Sequence, residues 1–141
     1  MALSSLPGIY SCWSCEGHHG PEEQDSVPGT ATIWRLPRVF FFTDRQPLVH
    51  LLGRYLSDLF FAGRIAVRWR TAMVVTNKTF EQVYALEPDQ RVPLIENQVR
   101  LSDLQKDAVA IGSGLREALL ASADAYLERL DGQLGDTAIT D

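Results

Sequence analysis

The spacing of apolar residues predicts a helix between Pro47 and Phe61. In this segment apolar side chains recur every three or four positions, at Leu48, Leu51, Leu52, Tyr55, Leu56, Leu59 and Phe60. Such spacing gives a helix one face to bury. Pro47 suits the first helical turn, Thr43 or Asp44 is a candidate N-terminal cap, and Gly63 suits the left-handed conformation that ends a helix.

Shorter segments alternate bulky and small or polar residues, the period of a β-strand. They predict three hairpins, which pair residues 2–6 with 9–15 across Pro7-Gly8, 30–36 with 39–43 across Pro37-Arg38, and 65–76 with 79–86 across Asn77-Lys78. The three consecutive phenylalanines at 40–42 predict a central, buried strand. Residues 16–29, rich in proline, glycine and acidic side chains, predict an exposed loop.

The C-terminal third predicts two more strands and a second helix. A short strand is expected over 91–95 and another over 109–111, the latter ending at Gly112-Ser113-Gly114 and leading into a helix over 115–130. Residues 1–130 then form a single domain, and 131–141 a flexible tail. Because strands and helices do not alternate regularly, the pattern favours an α+β fold with an antiparallel sheet covered by helices.

Composition and charge narrow the function. The chain has 141 residues, 45% of them hydrophobic, which is enough for one packed core. A formal net charge of −5 without a basic cluster disfavours nucleic-acid binding. No apolar run approaches the roughly 20 residues that span a bilayer, and no signal peptide is recognisable, so we expect a cytoplasmic protein that does not contact a membrane.

Part of the chain resembles proteasome-type N-terminal-nucleophile hydrolases. The likeness rests on the segment from Val83 to Val92, then Ala110-Ile111-Gly112-Ser113-Gly114, then a helix that begins at Leu115. It is similar to the bacterial proteasome-like peptidase subunit and to small phage and prophage members, in which an Ala-Ile-Gly-Ser-Gly turn joins a strand to a helix. The resemblance implies a four-layer αββα sandwich, here truncated at its C-terminus.

The catalytic features of that family are altered in this chain. Its members attack with the side chain of the first mature residue, whose free amino group accepts the proton, but here Met1 is followed by Ala2. The family's lysine position falls on Thr32. The turn that faces the oxyanion is replaced by Thr43-Asp44-Arg45, and an aspartate there has the wrong sign to stabilise negative charge. We therefore expect no catalytic residues.

Four positions remain as remnants of the family's site. They are Thr32, Gly112, Ser113 and Gly114. The resemblance matches Ser113 to the serine of the family's turn. The alternative is purely structural, with the glycines permitting a tight strand-to-helix turn and the Ser113 hydroxyl capping the helix.

A zinc site is a rival interpretation of the N-terminal segment. Cys12, Cys15, His18 and His19 carry side chains that suit tetrahedral zinc. On a regular strand, however, Cys12 and Cys15 point to opposite faces. We therefore expect no metal, and the absence of a Walker loop, GxGxxG or HExxH motif gives no reason to expect a cofactor.

The leading hypothesis is a catalytically inactive proteasome-like protein that acts by protein binding or self-assembly. We expect a homo-oligomer or a protein partner, and the likeness to phage proteins suggests an inhibitor of a host protein. One alternative is an active peptidase or amidohydrolase whose nucleophile is exposed by processing before Ser4, Ser5 or Cys12. The other is a small zinc-binding interaction module.

Overall fold

The computed structural model of the chain describes residues 3, 6–20, 31–76, 82–92, 94–95 and 99–137. Five strands and two helices follow one another as β1 (Tyr10–His19), β2 (Thr32–Phe42), α1 (Gln46–Phe61), β3 (Trp69–Thr76), β4 (Gln82–Pro88), β5 (Leu94–Ile95) and α2 (Leu101–Thr137). The strands form an antiparallel sheet in the order β1-β2-β4-β3, and β5 pairs with the start of β2. The expected α+β class with an antiparallel sheet is confirmed.

The phenylalanine-rich strand β2 is central, as predicted. Its C-terminal half pairs with β1 on one side, with Tyr10 opposite Phe42, and with β4 on the other, with Val39 opposite Leu86. Phe41 is fully buried, whereas Phe40 and Phe42 on the opposite face are half-buried.

Two predicted hairpins are wrong. Residues 32–42 form one strand through Pro37, which lies opposite Glu16 of β1. On the side of β2 away from β1, Pro37 lies between the residues that pair with β4 and those that pair with β5. In the described part of the chain, β2 therefore has a strand neighbour at Pro37 on the β1 side only, and proline is tolerated at such edges. Strand β1 pairs with β2, and the described residues among 2–6 belong to no strand. Of those, Leu3 and Leu6 are described, and both are buried in turns before β1.

The third hairpin is confirmed as β3 and β4, which pair from Trp69 opposite Pro88 to Thr76 opposite Gln82. Its predicted turn at Asn77-Lys78 lies outside the described residues. Of the described residues in the strand predicted over 91–95, Leu94 and Ile95 form a strand, and residue 93 lies outside the described residues. The loop predicted over 16–29 begins later, because β1 continues to His19; residues 21–30 are not described.

Helix α1 agrees closely with its prediction. It begins with a proline in the first turn, and Gly63 beyond its end has a φ of +66°, the expected left-handed conformation. The expected cap differs. Arg45 takes the N-terminal cap position without a side-chain hydrogen bond, while the Thr43 hydroxyl accepts one from the Arg45 N–H at 3.1 Å and donates one to the Gly8 carbonyl at 2.6 Å.

Helix α2 replaces the predicted strand, turn and shorter helix. Residues 109–111 and Gly112-Ser113-Gly114 lie inside it, and it extends past residue 130 to Thr137. A stripe of buried residues explains its continuity, with spacings of three, four and seven at Leu101, Leu104, Ile111, Leu115 and Leu119. The strand over 109–111 and the turn after it are therefore wrong, because packing against the sheet outweighs the poor helix propensity of the glycines.

Both helices pack on one face of the sheet. The α1 helix contacts β3, α2 contacts β1 and β2, and the two helices contact each other. The core lies between them and the sheet, centred on Ile33, Phe41, Leu52, Leu56 and Leu104. The described residues form one sheet, so they do not confirm four layers. None of their helices combines the length and apolar character needed to cross a bilayer.

Candidate functional site

The structure separates the positions that the family resemblance assigns to one site. Thr32 is the first residue of β2, and Thr43 follows its last residue. At about 3.3 Å per strand residue, these two lie roughly 35 Å apart. Gly112, Ser113 and Gly114 lie in the middle of α2. The fold thus places the counterparts of the family's lysine and oxyanion turn at opposite ends of one strand.

Gly114 of α2 allows the two helices to pack closely. The Tyr55 hydroxyl of α1 donates a hydrogen bond to the Ile111 carbonyl at 2.9 Å, and a Cβ at Gly114 would lie 3.0 Å from that hydroxyl. Exposed Ser113 donates to the Ala110 carbonyl at 3.0 Å and caps no helix start. The Gly-Ser-Gly segment is therefore a packing element rather than a strand-to-helix turn.

Tyr55 is the residue whose ionisation this packing changes. Burial raises the pKa of its phenol above the usual value, and the nearby Arg64 partly opposes that rise. The buried hydroxyl is thus held in its neutral, hydrogen-donating form. Among the side-chain hydrogen bonds of the described residues, its bond to the Ile111 carbonyl is the only one that joins α1 to α2.

The cysteines and histidines of β1 do not converge. Cys12, His18 and His19 are exposed and Cys15 is half-buried. Cys12 occupies a β-bulge, while the Cys15 sulfur accepts a hydrogen bond from the Gly17 N–H at 3.4 Å. Over the described ranges, no three His, Cys, Asp or Glu side chains are grouped closely enough to hold a metal ion.

Sequence reasoning missed a buried carboxylate in α2. Asp107 is 5% exposed and accepts hydrogen bonds from the Ala66 N–H at 2.8 Å, the Val67 N–H at 3.1 Å and the Trp69 indole at 3.2 Å. Asp107 lies three residues after Leu104 and four before Ile111. This spacing puts it on the buried stripe of the helix, which is the feature of the sequence that indicates its burial. Because its hydrogen bonds are to residues at and just before the start of β3, Asp107 fixes that part of the chain to α2.

The sheet face that is turned away from the helices carries an exposed apolar surface. Strand alternation sets it apart, since Val39, Trp69 and Leu86 face α2 and their neighbours face outward. We call it the outer sheet face. It comprises Tyr10 and Trp13 of β1, Arg38, Phe40 and Phe42 of β2, Val83, Ala85 and Glu87 of β4, and Arg70 and Ala72 of β3.

Aromatic pairs cover one end of the outer sheet face. Tyr10 stacks on Phe42 with ring centroids 4.8 Å apart, and Trp13 lies 5.4 Å from Phe40. Tyr10 is 55% exposed and Trp13 is 48% exposed. Cross-strand aromatic pairs stabilise a sheet, but here they also present a broad apolar surface to solvent.

Charges of both signs form the next row of the outer sheet face. Arg70 pairs with Glu87 and with Asp89 at 3.1 Å each, and Arg38 lies 3.9 Å from Glu87. The Arg38 guanidinium also lies 5.8 Å from the centre of the Phe40 ring. An apolar surface bordered by paired charges is the usual composition of a protein interface.

The chain matches no model of a known protein family, no curated protein and no solved structure. The outer sheet face is the candidate functional surface, because it exposes aromatic side chains that the helices leave uncovered.

Proposed function

We propose that this chain is a non-catalytic, proteasome-like protein that works by self-assembly, with the outer sheet face as its interface. The observation that carries the proposal is the exposure of Tyr10 and Trp13 beside Phe40 and Phe42 on a sheet whose other face is filled by helices. Large aromatic side chains are enriched at interfaces, where they contribute much of the binding free energy.

A second copy of the chain suits this surface. In a two-fold dimer each residue of the patch meets the same patch on its partner, so the surface must be complementary to itself. The row of Arg38, Glu87 and Arg70 meets this requirement because it holds both signs of charge. An arginine of one copy then faces a carboxylate of the other, and the aromatic rows bury each other.

Two sheets packed in this way also account for the resemblance to a four-layer fold. Each chain contributes a helical layer and a sheet, and stacked sheets lie about 10 Å apart. A face-to-face dimer therefore has the order helix, sheet, sheet, helix. In this proposal the αββα arrangement arises from two copies, and it hides the outer sheet face of each.

Sedimentation equilibrium tests the interface. We expect a wild-type mass of twice the 15.7 kDa of one chain. Trp13→Glu places a charge in the aromatic row and should weaken the dimer by about 30-fold, as expected for the loss of an interface hot spot of about 2 kcal/mol.

Leu120→Glu is the matched control. Leu120 is 54% exposed, much like Tyr10 and Trp13, but lies on α2 in the helical layer. It should leave the dimer intact. A monomeric wild type, or equal weakening by both substitutions, contradicts the proposal.

A further inference from the structure

A cavity lies between α2 and the inner face of the sheet, away from the outer sheet face. Its volume is 180 Å³, and its walls are almost wholly apolar: Leu3, Val39, Trp69, Leu86, Ala108, Ile111, Gly112 and Leu115. Apolar cavities of about 150 Å³ stay dry and accept molecules the size of benzene. This one therefore has room for an apolar group of about six carbon atoms.

Small residues on α2 create the cavity. Ala108 and Gly112 lie one helical turn apart and both line it, together with Ile111 and Leu115, whose larger side chains also belong to the core. Leaving such a space empty destabilises a folded protein, because its lining atoms lose packing contacts. A ligand that fills the space restores those contacts.

A cleft adjoins the cavity, and Ala108, which lines both, is exposed to solvent. The cleft has a volume of 590 Å³ and shares Val39, Trp69 and Ala108 with the cavity wall. Its lining also includes the polar side chains of Ser14, Glu16, Arg38 and Gln105. The Gln105 side chain donates a hydrogen bond to the Glu16 carbonyl at 3.3 Å, which bridges β1 and α2 across the cleft.

We propose that the cavity and cleft form a binding site for a small amphipathic molecule with an aliphatic end and an uncharged polar head, such as a medium-chain alcohol or amide. The aliphatic end fills the cavity, while the head lies among Ser14, Gln105 and Glu16. Arg38 also lines the cleft, but its guanidinium lies 3.9 Å from the Glu87 carboxylate, so Glu16 and the formal net charge of −5 still disfavour an anionic head. The cavity shares no residue with the proposed dimer interface, whereas the cleft shares Arg38 with it.

Titration with 1-octanol, followed by NMR shifts of backbone amides, tests the proposal. We expect saturable shifts confined to residues around the cavity, and binding of octanoate that is weaker by about tenfold. An absence of saturable shifts with octanol overturns the site. Equal affinity for octanoate overturns the assignment of an uncharged head.

Gly112→Leu fills the cavity from α2 and should abolish octanol binding while raising the melting temperature. Ser113→Leu is the matched control, because the neighbouring Ser113 is exposed and does not line the cavity. If Gly112→Leu does not fold, Ala108→Leu blocks the junction of cavity and cleft instead. Octanol binding that survives in the folded variant overturns the proposal.

Discussion

The Asp107 carboxylate of α2 accepts a hydrogen bond from the Trp69 indole of β3 at 3.2 Å. The same carboxylate accepts the N–H groups of Ala66 and Val67, so it orders the segment that leads from α1 into β3. A buried carboxylate is stable only when its oxygens are satisfied, and removing it leaves its donors unpaired.

Asp107→Ala should lower the free energy of unfolding by about 3 kcal/mol or more, because buried donors then lose a charged acceptor. Urea denaturation measures the change. Asp103→Ala is the control, since Asp103 forms only a partly exposed pair with Lys106, 3.5 Å away. It should cost less than about 1 kcal/mol. Equal losses in the two variants would show that the buried hydrogen bonds of Asp107 contribute no more to stability than the ion pair of Asp103.

The raised pKa of Tyr55 predicts that stability depends on pH in the alkaline range. Because burial raises its pKa in the folded state, the folded protein retains a proton that the unfolded chain releases above about pH 10. The contribution of Tyr55 to stability is therefore complete below pH 10 and falls as pH rises beyond it. Denaturation of the wild type and Tyr55→Phe across pH 8–11 measures this.

Tyr55→Phe should also lose about 1 kcal/mol at neutral pH, since the hydrogen bond to the Ile111 carbonyl disappears. The gap between wild type and variant should narrow above pH 10. A gap that stays constant, or widens, contradicts the assignment.

Two glycines of α2 provide a matched pair for testing close packing. Gly132→Ala should stabilise the protein by about 0.5 kcal/mol or more, because no atom lies within 4 Å of the added Cβ and alanine favours a helix. Gly114→Ala should gain nothing or destabilise, because its Cβ would press on the Tyr55 hydroxyl. Thermal unfolding compares the two. Equal stabilisation would mean that α1 does not closely approach α2 at Gly114.

A substitution at Gly17 of β1 should cause a larger loss of stability. Its φ is +86°, and an added Cβ would lie 2.7 Å from a Leu101 methyl and 2.8 Å from Pro37. Gly17→Ala should therefore destabilise by about 2 kcal/mol or more. Gly63→Ala, where φ is also positive but no atom lies within 4 Å, should lose only about 1 kcal/mol. A reversed order would contradict the described packing of α2 on β1.

The sequence predicts those elements whose local signals agree with their packing. Helix α1 has an apolar stripe, a proline in its first turn and Gly63 at its end, and all three appear in the structure. The β3–β4 hairpin follows from its alternating bulky residues.

Other elements depend on distant contacts that local patterns do not encode. The sequence around Pro37 predicts a turn, but Pro37 lies within β2. Proline is tolerated there because no neighbouring strand in the described part of the chain needs its missing N–H. Gly112 and Gly114 read as a strand-to-helix turn but lie inside α2, where their small size suits the adjoining cavity and Tyr55. The outer sheet face emerges only once the pairing register is known.

Native mass spectrometry of the purified protein tests the central claim most directly, since one measurement gives both the assembly state and the first residue. The account predicts a dimer of twice 15.7 kDa whose chains have not been cleaved before Ser4, Ser5 or Cys12. A monomer at every concentration would contradict self-assembly. Chains that begin at Ser4, Ser5 or Cys12 would contradict the non-catalytic assignment and favour an N-terminal-nucleophile hydrolase.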